Sequence, residues 1–186
     1  MRKNLGAKAI LYPMPVLIIG SYDEEGIPNA MNAAWGGISE ETEISICVSD
    51  DHKTTANILN RGAFTVSIAD KENVVAADYV GIVSGDKVPN KIEKCGWTAV
   101  SSEFVDAPLF EELPMALECK LISYDEATCR LVGEIVNVCA DERILGEDGK
   151  VSLDKFSPIT YDPIHYTYWT LGEVVGKAFS DGKKLK

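Results

Sequence analysis

At 186 residues the chain is long enough for one substantial hydrophobic core and short for two, so a single domain over residues 1–186 is expected. An apolar share of 46% excludes a disordered chain, and no apolar run approaches the roughly 18 residues of a membrane span. Eighteen basic against twenty-nine acidic residues leave a net charge of −11, which argues against non-specific nucleic-acid binding and requires any phosphate-bearing ligand to meet a locally positive site.

The N-terminal "MRKNLGAKAILYP" is basic but lacks the apolar core and cleavage site of a signal peptide, so a cytoplasmic protein is expected. "VLIIGSY" (Val16 to Tyr22) is β-rich, "DEEGIPN" supplies turn residues, and "AMNAAW" returns, giving a hairpin over Val16 to Trp35. "EISICVS" (Glu43 to Ser49) alternates Ile44, Ile46 and Val48 against polar neighbours, as a strand with one buried face does.

The period then changes. In "SDDHKTTANILNRGAF", Asp50 or Asp51 is placed to N-cap a helix whose apolar stripe is Ile58 and Leu59, and Gly62 to end it. "FTVSI" (Phe64 to Ile68) resumes as strand, "KENVVAADYVG" reads as a short helix closed by Gly81, and "VSGDKVPNKIEKCG" as a loop with a short helix. "MALECKLISYD" (Met115 to Asp125) and "CRLVGEIVNVCAD" (Cys129 to Asp141) form a long hairpin, "GEDGK" a turn, and "HYTYWTLG" (His165 to Gly172) an aromatic barrel strand. Many antiparallel strands with few short helices predict a mainly β, closed or half-closed barrel.

Five cysteines without a C-x-x-C pair, three of them inside apolar runs as buried thiols, speak against a disulfide framework. Two distant histidines speak against a metal centre. Nucleophile-elbow, zinc-protease, P-loop and dinucleotide-fold motifs are all missing, so no catalytic side chain is nominated and a bound cofactor is the expected source of chemistry.

Two stretches suit a ligand. "SDDHKTT" (Ser49 to Thr55) joins a strand end to a helix start bearing Lys53, Thr54 and Thr55, an arrangement that binds anions and equally an ordinary capped helix. "NAAWGG" frames Trp35 with Ala33, Ala34, Gly36 and Gly37, which clears a strand for a flat heterocycle or equally marks a core Trp beside a bulge.

The ordered series "PMPVLIIGSYDEEGIPNAMNAAWGGI", "ISICVSDDHKTTANILNRGAFTVSI", "ADYVGIVSGDKVPNKIEKCGW" and "APLFEELPMALECKL", closing on "PITYDPIHYTYWTLGEVVGKAF", resembles the flavin reductase-like family of FMN-binding split barrels, of the flavoredoxin type. The resemblance implies a six-stranded split β-barrel, a homodimer, and FMN held without a covalent bond near the dimer interface. It implies contacts along the flavin ring from Asn32, Ala33, Ala34 and Trp35, and contacts to its polar edge or ribityl chain from Ser49 and Asp50. It implies a phosphate site of Lys53, Thr54 and Thr55 with Asn57 beside it, and further lining from Ser84, Lys91 and an aromatic of the Tyr166 to Trp169 run, taken as Trp169. Electrons would come from NAD(P)H or a redox protein; the alternative within the family is an FMN-containing electron carrier without catalysis of its own.

Overall fold

The structure is a computed structural model that describes residues 1–185. In chain order it comprises β1 (Met14–Pro15), β2 (Leu17–Tyr22), β3 (Pro28–Ala33), β4 (Gly36–Glu40), β5 (Glu43–Cys47), α1 (Lys53–Arg61), β6 (Ala63–Ile68), α2 (Val74–Ile82) and α3 (Lys91–Lys94). There follow β7 (Ala99–Ser101), β8 (Pro108–Phe110), β9 (Met115–Asp125), β10 (Arg130–Ala140), β11 (Ile159–Asp162) and β12 (Thr167–Thr170), with two 3₁₀ turns.

Seven strands form one antiparallel sheet in the order β3-β2-β6-β9-β10-β5-β4. Its two edges, β3 and β4, are consecutive in the chain and joined only by Ala34 and Trp35. Laid flat, six inter-strand steps would hold the edges about 29 Å apart. The three Cα steps from Ala33 to Gly36 reach about 11 Å at most. The sheet must therefore curl until its edges nearly meet. Counting β3 and β4 as one bent strand recovers the six-stranded split barrel.

The interior is filled by Leu17, Ile19, Ile44, Ile46, Val48, Phe64, Val66, Leu117, Cys119 and Leu131, with Ile58 of α1 entering from one end. The alternating Ile44, Ile46 and Val48 all face inward, as their spacing requires. β2 is apolar on both faces because a second layer covers its outside. Val16, Ile18 and Ala30 pack there against Ala77 and Val80 of α2, Ile92 of α3, and Trp97, Phe110 and Ile159.

Several expectations are corrected. No element is predicted for the stretch after Trp35, and the structure makes it a strand, β4. The N-cap of α1 is His52, not Asp50 or Asp51, and Leu59 is exposed because only the Ile58 side of the helix meets the barrel. The aromatic run ends in β12, which belongs to a separate three-stranded sheet, β1-β11-β12, rather than to the barrel wall. Cys119 is buried, whereas Cys129, at positive φ before β10, and Cys139 are only half-buried.

The register between β10 and β9 shifts between Val132 and Gly133. A Cβ at Gly133 would overlap the ring of the fully buried Phe64. Gly133→Ala is expected to cost about 1–3 kcal/mol by overpacking. Urea unfolding should show a lower midpoint at unchanged slope; an unchanged midpoint would mean that the ring moves aside freely.

Candidate functional site

The chain leaves β5, turns through Ser49 to His52 and enters α1. The Thr55 hydroxyl donates to the Ser49 carbonyl at 2.6 Å and pins this turn from the helix side. Among the described residues no side chain caps the helix; the Thr55 N–H turns back to the His52 carbonyl at 3.0 Å, and the Lys53 and Thr54 N–H groups keep their capacity for an acceptor. Both ends of α1 also grip the β2–β3 turn. Lys53 Nζ lies 3.1 Å from Asp23 Oδ2, and Arg61 Nε donates to the Asp23 carbonyl at 3.0 Å. Burial works against the Asp23 carboxylate, but the Ile27 N–H and the Lys53 ammonium outweigh it and hold that carboxyl below its ordinary range.

Beside the start of α1 lies a cavity of about 380 Å³ bounded by β3, α1, the loop Val83 to Lys87 and the first residue of α3. Three ammonium groups line it, from Lys53, Lys87 and Lys91, with hydroxyls from Thr54 and Ser84. Asn29 and Thr54 are buried and joined, the amide Nδ2 donating to the hydroxyl at 2.8 Å. Asn29 Oδ1 has no partner among the described residues. Exchanging the amide O and N gives the same density of contacts, with Thr54 donating to oxygen and the NH₂ free to donate to a ligand. Gly85 is what lets the loop approach, since a Cβ there would overlap Asn29 Oδ1 and press on Lys53 Cδ at 3.1 Å.

Lys91 is the unusual cation. Only 2% exposed, it donates to the Val83 carbonyl at 3.2 Å. Burial lowers its pKa to about 8. Lys53, by contrast, is already matched by Asp23 and by Asp86 Oδ1 at 3.8 Å.

A second cavity of about 350 Å³ shares Gly81 and Ile82, at the end of α2, with the first. Asn32 and Ala34 form one side of it and Tyr161, Tyr166 and Tyr168 another. Asn32 is oriented by donating to the Ala77 carbonyl at 3.0 Å, and Tyr168 donates to Asp78 Oδ1 at 2.8 Å. Burial first and the Asp78 carboxylate second push the Tyr168 phenol well above its usual range, so it stays protonated. Tyr166 sits at φ 57° on a turn built around Asp162. That carboxylate accepts from the Tyr12 hydroxyl, from the Ile164 N–H at 2.9 Å, and pairs with His165 Nδ1 at 2.7 Å. The Tyr12 hydroxyl foremost, with His165 and the Ile164 amide, holds it far below the carboxylate range.

The cationic cavity and the aromatic slot are thus neighbours across Gly81 and Ile82, the first suited to an anion and the second to a flat group. The family model described as "Flavin reductase like domain" matches residues 9–170. The chain belongs to the flavin reductase-like family. Among solved structures it is similar to the flavoredoxin of Desulfovibrio vulgaris (Miyazaki F), 41% identical over 98% of this chain and 100% of that one, with a TM-score of 0.94. It is also similar to a flavoredoxin from Methanosarcina acetivorans, 27% identical with both chains fully covered and a TM-score of 0.90. An uncharacterised protein of Aquifex aeolicus is 28% identical over 81% of each chain.

Within this flavin reductase-like fold the thirteen residues expected from the resemblance divide. Lys53, Thr54, Ser84 and Lys91 converge on the cationic cavity, and Asn32 and Ala34 on the aromatic slot. Ala33 faces the barrel core. Trp35 is 57% exposed and lines an apolar groove with Ile10, Leu11 and Pro13. Asp50 and Asn57 line an acidic cleft on the far side of Lys53, where Asn57 donates to Ser21 Oγ at 3.0 Å. Ser49 lines neither cavity and Thr55 is spent on the turn. Trp169 is exposed, its Nε1 turned to Thr167, and the neighbouring Tyr166 and Tyr168 stand in the slot instead.

Sequence reading missed Asn29, Gly81, Asp78 and Gly85. The one available signal was Asn29, a polar residue at a strand position that the fold buries.

The Asp162 turn sets a pH dependence. Because its carboxyl is held below the unfolded value, the stability it contributes is complete above pH ~4 and is lost as pH falls through the folded value. Asp162→Asn should therefore lower the melting temperature at pH 7 and converge on the parent in strong acid. A deficit equal at both pH values would show that the turn depends on shape rather than charge.

Proposed function

We propose that the protein is an FMN-binding oxidoreductase, passing electrons from NAD(P)H or a redox protein through the flavin to an acceptor. The observation that carries this reading is the pair of neighbouring cavities that share Gly81 and Ile82. One is cationic, with a buried ammonium and the unpartnered end of the Asn29 amide, a donor in the orientation in which Thr54 bonds its oxygen, and the other is an aromatic slot. Those groups fit a phosphate monoester and a planar ring, and the 41% identical relative of the same architecture is a flavoredoxin.

In this reading Lys91 and Lys53 neutralise the phosphate, Thr54, Ser84 and the Asn29 amide donate to it, and the open N-terminus of α1 adds backbone dipoles. Asn32 and Ala34 border one side of the ring site with a backbone that small side chains leave approachable, and Tyr166 and Tyr168 border another and limit water. FMN supplies the electron-accepting and electron-donating chemistry when bound. The protein's own part is to orient it, fix its charge environment and keep one side open to a partner.

The purified protein should be yellow, or become so with FMN, and show the bands of bound flavin. A colourless protein that FMN cannot reconstitute would overturn the reading. Lys53→Ala with Thr54→Ala should raise the Kd for FMN about tenfold or more through lost charge-assisted donors, while riboflavin, which lacks the phosphate, binds as before.

The second reading, an electron carrier without its own NAD(P)H activity, is favoured by the net charge of −11, which repels a dinucleotide and steers a basic redox partner. Stopped-flow mixing with NADH and NADPH separates the two: rapid bleaching supports the reductase, and none the carrier.

The reading includes a homodimer. Trp35, Val174, Val175 and Phe179 are exposed, the last three almost wholly, and a second copy of the chain would give them something to bury against. Sedimentation should give twice the chain mass of 20.3 kDa; a monomer at micromolar concentration would refute it.

A further inference from the structure

Of the three cations that line the cationic cavity, Lys87 is exposed, and the other two, Lys53 and Lys91, are not equivalent. Lys53 reaches it already paired, 3.1 Å from Asp23 and 3.8 Å from Asp86, and its ammonium tethers α1 to the β2–β3 turn. Lys91, at 2% exposure, has a backbone carbonyl as its acceptor and, among the described residues, no carboxylate in ion-pair distance. An ammonium has three donors, so two of Lys91's are left for whatever enters. Beside it in the same cavity stands the 3%-exposed Asn29, whose outer amide atom is unpartnered among the described residues and is an NH₂ donor when the amide is turned so that Thr54 donates to its oxygen. Two buried polar groups with spare capacity in one cavity mark a place built for a ligand that completes them.

Resting on the FMN reading above, we propose that Lys91 makes the choice of FMN over riboflavin depend on its proton: Lys53 and Thr54 contribute at every pH, and the further preference that the Lys91 ammonium adds is lost when that proton leaves. The phosphate brings a dianion next to a buried ammonium with no counter-charge of its own. Binding the phosphate and holding the proton therefore favour one another. Lys53 cannot take this part, since its charge is answered by two carboxylates whether or not a ligand is present.

The surroundings support titration at this position. From α1 the cavity meets Lys53, Asp51 and His52; from the loop, Lys87 and Asp86; and from β3, Asn29 and Met31, which do not titrate. Cys95 follows α3; burial raises its pKa, and the Lys91 ammonium lowers it. Burial foremost opposes the Lys91 charge, the Cys95 thiolate supports it, Lys53 repels it and Asp86 supports it. The sign follows: in the free protein the ammonium is present below pH ~8 and absent above, and a bound dianion draws the proton back.

The test is the Kd of the whole chain for FMN and for riboflavin, by flavin fluorescence, from pH 7 to 9.5. The phosphate is dianionic across this range because its second ionisation lies near pH 6. The FMN Kd should rise roughly tenfold between pH 7 and pH 9 while the riboflavin Kd stays level, so the preference falls by the same factor. Calorimetry at pH 8.5 in two buffers of different ionisation enthalpy should record a proton taken up with FMN and none with riboflavin. Lys91→Arg, always charged, should keep the preference and flatten the profile; Lys91→Met should hold at every pH the reduced preference that the parent reaches at pH 9.5. A level FMN profile in the parent, or an unchanged slope in Lys91→Arg, overturns the inference and leaves FMN binding standing. Failure to bind either flavin overturns both.

Discussion

The two residues between β3 and β4 constrain everything else. Ala34 and Trp35 carry the chain from one edge of a seven-stranded sheet to the other, and so short a link forces the sheet to close. Closure brings the start of β4 over the barrel core. Gly36 is needed there because a Cβ would stand 3.0 Å from Leu17 Cδ1 and 3.1 Å from the Ser45 carbonyl. The same closure leaves β3 without a neighbour on its outer edge. α2 and the Val83 to Lys87 loop cover that edge from outside, and both cavities form in the space between. The site is thus a by-product of how the barrel shuts, and Ala34 belongs to the link and to the aromatic slot alike.

Electrostatics then divides the surface near that edge in two. Lys53 stands on the boundary, lining both the cationic cavity and an acidic cleft that contains Asp23, Glu24, Glu25, Asp50, Asp51 and Asp86. A protein of net charge −11 holds an anion only where local cations are close and partly withdrawn from water, since a surface lysine would be screened within about 8–10 Å. Lys91 meets that condition through burial. Lys53 meets it through its carboxylate partners, which fix its position at the expense of its free charge.

Strand periodicity was legible wherever one face was buried: Ile44, Ile46 and Val48 announce their direction, and the long β9–β10 hairpin follows from alternation and a short turn. Pairings at a distance were not. Nothing in "GGISE" distinguishes a turn from an edge strand until β5 is known to lie beside it, and the aromatic run Tyr166 to Trp169 gives no sign that β11 and not the barrel is its partner. The candidate site was legible in its local half. Lys53 and Thr54 stand at a helix start that sequence can locate, whereas Asn29 and Lys91 come from segments sixty residues apart and meet only because α3 packs against β3.

Trp35 shows the limit of a local reading most clearly. Its small neighbours suggested clearance for a ring, yet each has a different reason. Ala33 fills the core, Ala34 borders the slot, Gly36 avoids Leu17, and a Cβ at Gly37 would meet open space. The indole itself turns outward beside Ile10, Leu11 and Pro13, while its carbonyl accepts from the Cys47 N–H at 2.7 Å and ties the link to β5. The backbone closes the barrel and the side chain is left over for another surface. The exposed aromatic at the corner that closes the barrel therefore stands next to a slot with which it shares its neighbour Ala34.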